Sequence, residues 1–187
     1  SGFLVGADGY IITNKHVALP WSQTERDRRI IDAGFRPRMV MFRAFFPGQE
    51  RPYDLEFVSS SPEDDIALVK IVGRACTIPA LECDFSAEYR VGMPVTILGY
   101  PTGFDLLTAT IGTAGHQLDY SCFDGLGQEL SVHNLIQPMA TSGICGQVNN
   151  DKIAYDAATT IGASGAPVLD SKGKVIAVNA ALLKGFS

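Results

Sequence analysis

Hydrophobic and polar positions alternate over short distances along this chain, and Gly, Pro, Asp or Asn interrupts them every few residues. Phe3–Val5 and Tyr10–Thr13 flank Gly6-Ala7-Asp8-Gly9, where Asp-Gly tolerates the positive φ that a tight hairpin turn needs. Met39–Phe46 is rich in strand formers, and Tyr53, Leu55 and Phe57 alternate with polar residues as a half-buried strand should. Ile66–Ile71 and Val95–Tyr100 are compact apolar runs bounded by turns; Leu106–Ile111, Leu130–Ile136 and Ile153–Tyr155 are weaker strands. Pro167–Leu169 and Lys174–Val178 pair across Asp170-Ser171-Lys172-Gly173. The pattern predicts about ten strands and one charged surface helix, Ser22 to Ile31, which is the signature of an all-β barrel or sandwich.

Composition sharpens this picture. The 187 residues are 46 % hydrophobic and 19 % charged, enough apolar surface for a sizeable core and too much for disorder. No apolar run approaches the ~18 residues of a membrane span. A net charge of −5 argues against nucleic acid or an anionic membrane as the main partner. Charged residues crowd residues 1–90 (13 acidic, 11 basic) and thin out over 91–187 (7 acidic, 4 basic). The shift near Arg90–Pro94 predicts two similar lobes, 1–90 and 91–187. Cys76, Cys83, Cys122 and Cys145 allow two disulfides, of which Cys76–Cys83 would close a tight loop, or four free thiols. Their spacing suits no metal, and no cofactor is expected.

Three segments could carry chemistry: Thr13-Asn14-Lys15-His16-Val17-Ala18, Asp64-Asp65-Ile66-Ala67, and Gly162-Ala163-Ser164-Gly165-Ala166-Pro167. Singly each is weak, because a lone His is usually structural, an Asp before a strand usually caps it, and a Ser among glycines is usually a turn. In the order His–Asp–Ser they meet the needs of acyl transfer. A serine hydroxyl needs a base within reach, imidazole serves near neutral pH, and a carboxylate must fix the imidazole tautomer. The amides of Gly162 and Ser164, between flexible glycines, could form an oxyanion hole. The chain order argues against an α/β-hydrolase esterase, which presents Ser first and His last. His116 and His133 lack comparable context and are read as structural.

These segments resemble the trypsin-like, chymotrypsin-fold serine proteases, and specifically their HtrA/Deg branch. The likeness extends from Gly2-Phe3-Leu4-Val5 and Asp8–Val17 through Asp65–Ile71 and Val91-Gly92-Met93-Pro94-Val95 to Asp156-Ala157-Ala158, Gly162–Pro167 and Gly173–Asn179. It implies two six-stranded antiparallel β-barrels with the active site in the cleft between them, the last strand missing from this chain. It also implies His16 as general base, Asp65 rather than Asp64 as its orienting acid, and Ser164 as nucleophile. Ala163 and Ala166 depart from the family's Asn or Asp and its Gly. The pocket segment Ala158, Thr159, Thr160, with Ala180, Ala181 and Leu182 as walls, has no Asp for a basic substrate and points to small or aliphatic residues before the scissile bond. The expected partner is a peptide or unfolded protein, with a homo-oligomer compatible. A periplasmic or secreted location is preferred. The rival reading is a protease-like module that binds peptides with little or no catalysis.

Overall fold

A computed structural model describes residues 1–22, 24–84, 86, 88–103, 107–108, 123–149 and 152–180. Two five-stranded antiparallel sheets form among the described residues. The first contains β1 (Gly2–Leu4), β2 (Tyr10–Thr13), β3 (Arg43–Ala44), β4 (Tyr53–Ser60) and β5 (Ala67–Val72), in the spatial order β1-β2-β5-β4-β3. The second contains β6 (Pro94–Gly99), β7 (Met139–Asn149), β8 (Lys152–Tyr155), β9 (Pro167–Leu169) and β10 (Val175–Val178), in the order β10-β9-β6-β7-β8. Curled and packed together, they are the two half-barrels of an all-β chymotrypsin-like fold. Five strands are described in each, where six were expected.

Each sheet buries one face in its own core. In β5 the alternation is clean: Ala67, Val69 and Ile71 point inward to Leu4, Ile11 and Tyr53. In the second lobe Val95, Ile97, Ala157, Ala166, Val168 and Ile176 fill the corresponding space. A separate apolar seam joins the lobes, with Phe3 and Ile12 of the first meeting Leu98, Leu169 and Val175 of the second. This is why Phe3 and Leu4, on opposite faces of β1, are both buried.

Local order follows local chemistry, and several expectations are corrected. Helix α2 (Glu25–Asp32) starts one turn later than the charge pattern suggested, because Thr24 caps it by accepting a hydrogen bond from the Asp27 amide at 3.0 Å. Of Met39–Phe46 only Arg43 and Ala44 pair as strand. Leu130–Ile136 is not a strand: Leu126 and Leu130, four apart, put one stripe of α3 (Phe123–Val132) onto Ile136 and Phe45, so the helical period wins. Leu107 and Thr108 are helical, and the rest of Leu106–Ile111 lies outside the described residues. The 11-residue β7 escapes sequence reading because Met139-Ala140-Thr141-Ser142-Gly143 is small, polar and mostly exposed; its register with β6 (Gly99↔Met139 to Pro94↔Ile144) defines it instead. Cys76, Cys83 and Cys145 are free thiols, so the Cys76–Cys83 bridge is not made, and Cys122 lies outside the described residues.

Ile97 is 2 % exposed in the second core, whereas Ile144 on β7 is 50 % exposed. Ile97→Ala is expected to cost about 2–5 kcal/mol. Ile144→Ala should stay within about 0.5 kcal/mol. Denaturant unfolding of the two variants checks this, and equal costs would contradict the packing.

Candidate active site

The site begins with strand register. Antiparallel pairing of β2 with β5 sets Thr13 opposite Ala67, so the residues just after β2 and just before β5 share one rim of the first sheet. After Thr13 the chain turns into a single helical turn, α1 (Lys15–Ala18), with the amides of Val17 and Ala18 donating to the Asn14 carbonyl. That turn carries His16 toward Asp65. The His16 backbone amide donates to Asp65 Oδ1 at 3.0 Å, and His16 Nδ1 lies 2.5 Å from Asp65 Oδ2. A carboxylate can only accept, so the proton is on Nδ1 and Nε2 is the acceptor nitrogen. Asn14, with a fully buried side chain, anchors the acid from behind through Nδ2 to the Asp65 carbonyl at 2.7 Å. Asp64 stands one residue earlier, its amide donating to Ser61 Oγ. The side chains of His16 and Asp65 are 25 % and 35 % exposed, a pair partly open to solvent rather than sealed in a core.

Ser164 sits three residues before β9, in a turn between two glycines with positive φ, Gly162 at 100° and Gly165 at 81°. Gly165 makes the contact between the lobes: a Cβ there would fall 2.3 Å from the Ser1 carbonyl, 2.5 Å from Thr13 Oγ1 and 3.1 Å from the Asn14 amide. The Ser164 turn therefore rests on the strand end that leads into His16. Gly162 is equally crowded, 2.5 Å from the Tyr100 carbonyl and 2.6 Å from the Gly103 amide by the same measure. The Ser1 hydroxyl ties these parts together, donating to the Gly162 carbonyl at 2.8 Å and accepting from the Tyr100 amide at 3.2 Å. The methyls of Ala163 and Ala166 are buried against Gly99, whose own Cβ would come within 3.1 Å of Ala166 and 3.4 Å of Ala163.

Among the described residues, the amides of Gly162 and Ser164 donate to no protein acceptor, and Ser164 Oγ has no hydrogen-bond partner. The structure thus brings His16 and Asp65 into direct contact and sets the Ser164 turn beside them, without a hydrogen bond from His16 to Ser164. Of the expected pocket residues, Ala158 and Thr160 are exposed, while Thr159 and Ala180 are half-buried. Ala181, Leu182 and His116 lie outside the described residues. His133, just past the end of α3, lies 3.6 Å from Glu129 on its last turn.

Two residues went unread in the sequence. Asn179, 4 % exposed, donates through Nδ2 to the Ala163 carbonyl at 2.9 Å and to Thr159 Oγ1 at 3.2 Å. Tyr155 donates its hydroxyl to Asn179 Oδ1 at 2.6 Å. Burial pushes the Tyr155 phenol up to about 12, so it remains a neutral donor. Nothing in a lone Tyr and a lone Asn, 24 residues apart, signals that they meet.

A His–Asp pair on one half-barrel rim thus lies beside a glycine-flanked serine turn of the other. Comparison with known proteins places the chain more closely. Residues 1–178 match the trypsin-like peptidase domain family, and the chain belongs to it. It is 25 % identical over 179 residues to a probable periplasmic serine endoprotease DegP-like of Ectopseudomonas mendocina, covering 96 % of this chain and 28 % of that protein. It is 28 % identical over 184 residues to serine protease PepD of Mycobacterium tuberculosis, covering 97 % of this chain and 33 % of PepD. The chain thus spans about a third or less of the length of these relatives. Two solved structures share its fold. A serine endoprotease from Yersinia pestis has a TM-score of 0.62 and 18 % identity, covering 98 % of this chain and 48 % of that one. The HtrA-type protease AlgW with decapeptide has a TM-score of 0.64 and 21 % identity, covering 98 % and 43 %.

Gly165→Ala combines an unfavourable φ with a backbone collision, and is expected to lower stability by about 1–3 kcal/mol or to lift the Ser164 turn off the first lobe. Thermal unfolding and amide exchange at Thr13 and Asn14 would register either effect. An unchanged melting temperature with unchanged protection would contradict the close approach.

Proposed function

We propose that this chain is the catalytic domain of a serine endopeptidase, with His16, Asp65 and Ser164 as its triad. The observation that carries the reading is the doubly hydrogen-bonded His16–Asp65 pair at the rim against which Gly165 holds the Ser164 turn. In the proposed reaction, peptide binding closes the remaining step by bringing His16 Nε2 and Ser164 Oγ into line; such bonds are commonly long before substrate arrives. Ser164 Oγ attacks the scissile carbonyl carbon as His16 takes its proton. The oxyanion is received by the amides of Gly162 and Ser164, whose donors are already unspent. Collapse breaks the C–N bond, His16 returns the proton to the leaving amine, and the acyl chain stays on Ser164. Water, deprotonated by His16, then releases the carboxylic acid and restores the hydroxyl. Asp65 stabilises the imidazolium and keeps the proton of neutral His16 on Nδ1.

The substrate class is a peptide or unfolded protein. The division into lobes at about residue 90, and a periplasmic or secreted setting like that named for the DegP-like relatives, belong to the same proposal. For the residue before the scissile bond we favour small or aliphatic side chains. Ala158, Thr159, Thr160, Ala180, Ala181 and Leu182 are the residues assigned to that pocket, and none is acidic.

A fluorophosphonate probe is expected to label the wild type at Ser164. Labelling should vanish in Ser164→Ala, and His16→Ala should cost about 10⁶ in turnover. Asp65→Asn should cost about 10⁴. A folded wild type that takes no label yet binds peptides would overturn the reading in favour of a binding module. In a peptide library, cleavage after Val or Ala should exceed cleavage after Arg, and the reverse order would refute the pocket assignment.

A further inference from the structure

The chemistry proposed above depends on the direction in which one peptide N–H points. The Ser164 N–H belongs to the same planar unit as the Ala163 carbonyl, and in a trans peptide the two point in opposite directions. Whatever grips the Ala163 carbonyl therefore aims the Ser164 N–H. Two donors grip it: the Ala166 amide at 2.9 Å, from within the turn, and Asn179 Nδ2 at 2.9 Å, from the strand end behind it.

Asn179 bonds the turn both before and after Ser164. Its backbone carbonyl accepts from the Gly165 amide at 2.8 Å, and its amide donates to the Ala166 carbonyl at 2.9 Å. Its second Nδ2 proton reaches Thr159 Oγ1 in the segment expected to line the substrate pocket. Asn179 follows directly on β10, whose Val175 and Ile176 are core residues, so these bonds tie the turn to the rigid sheet.

The Ala163 carbonyl can only accept, so Nδ2 must face it and Oδ1 faces β8. There the Tyr155 hydroxyl donates to Oδ1 and holds the amide in that orientation. Reversing the amide would set two oxygens against each other at Ala163.

We propose that Asn179, held in one orientation by Tyr155, is a positioning residue that aims the Ser164 amide into the oxyanion hole and links that donor to Thr159 of the substrate pocket. The inference rests on the serine-endopeptidase reading. It goes beyond it by assigning a task to two residues outside the triad that touch no reacting atom.

The test compares wild type, Asn179→Asp and Tyr155→Phe for rate of acylation by a peptide ester, KM, and affinity for two ligands. One is a peptide boronate, whose tetrahedral oxygen occupies the oxyanion hole; the other is the matching product peptide, which binds without forming that tetrahedral group. Asn179→Asp keeps the shape but presents an oxygen to the Ala163 carbonyl. It is expected to slow acylation about 100-fold, the scale of one lost oxyanion donor. KM should change less than about twofold, with boronate affinity falling in step with the rate and product affinity unchanged. Tyr155→Phe removes only the orienting bond and should give about a fivefold loss in the same pattern. It also keeps the inference testable should Asn179→Asp fail to fold. Equal losses for boronate and product peptide, or wild-type rates in either folded variant, would overturn the positioning role while leaving the endopeptidase reading intact. A folded wild type that neither acylates nor binds boronate would overturn both.

Discussion

The site depends on a contact in which one residue has no side chain. Gly165 brings the backbone of the second lobe against the Ser1 carbonyl, Thr13 Oγ1 and the Asn14 amide of the first. Any Cβ there would collide with the Ser1 carbonyl and Thr13 Oγ1 and crowd the Asn14 amide, and its φ of 81° is one that only glycine adopts without cost. The apolar seam of Phe3, Ile12, Leu169 and Val175 supplies the attraction between the lobes but cannot by itself set their spacing to a fraction of an ångström. The backbone contacts with the Ser1 carbonyl and the Asn14 amide can, because main chain has no rotamers to adjust. His16 lies two residues beyond this contact and Ser164 one residue before it, so the distance between proposed base and nucleophile is inherited from it.

The two lobes contribute different kinds of rigidity. On the first, a charged pair is held by register: β2 and β5 deliver His16 and Asp65 to one rim, and Asn14 fastens the acid by its main chain. On the second there is no charge to hold, only the directions of peptide dipoles, and those are fixed through their carbonyls. The Ile161 carbonyl accepts from the Thr102 amide at 2.6 Å, as the Ala163 carbonyl accepts from Asn179 and the Ala166 amide. Because carbonyl and amide oppose each other across each peptide, satisfying the oxygens inside the protein leaves the Gly162 and Ser164 amides as the unsatisfied ends. The donors of the proposed oxyanion hole would then result from ordinary completion of buried hydrogen bonds.

How much of this could be read from the sequence depends on how local each signal is. The Gly6–Gly9 and Asp170–Gly173 turns, the alternating strand β5 and the motif around His16 carry their information within a few residues, and the fold followed from them. The expectation of a strand at Leu130–Ile136 failed because Leu126 and Leu130 satisfy a helical period that short apolar runs do not distinguish. Strand β7 was invisible because its stability comes from pairing with β6, not from its own small polar residues. For the site, residue types and chain order indicated His16, Asp65 and Ser164. The Tyr155–Asn179–Ala163 chain of bonds was illegible, since each member is commonplace and the relation exists only after folding. The same holds for Ser1, whose hydroxyl bridges Gly162 and Tyr100 across 161 and 99 residues of sequence.

The resemblance leads to the expectation of Gly in place of Ala166 and of an amide or acid in place of Ala163; taken alone, an added methyl at one position and a lost polar group at the other would be expected to deform so tight a turn. The methyl of Ala166 instead fits against Gly99 at the end of β6, on the strand that pairs with β9. Room absent in one strand is provided by the missing Cβ of its neighbour, and the buried Ala163 methyl shares it. A turn that fills its space with methyls has no side-chain amide or carboxylate of its own at position 163 with which to brace itself. Side-chain bracing must then come from outside the turn, and Asn179 is placed to provide it. Departure from the pattern at Ala163 and reliance on Asn179 are, on this view, two sides of one packing solution.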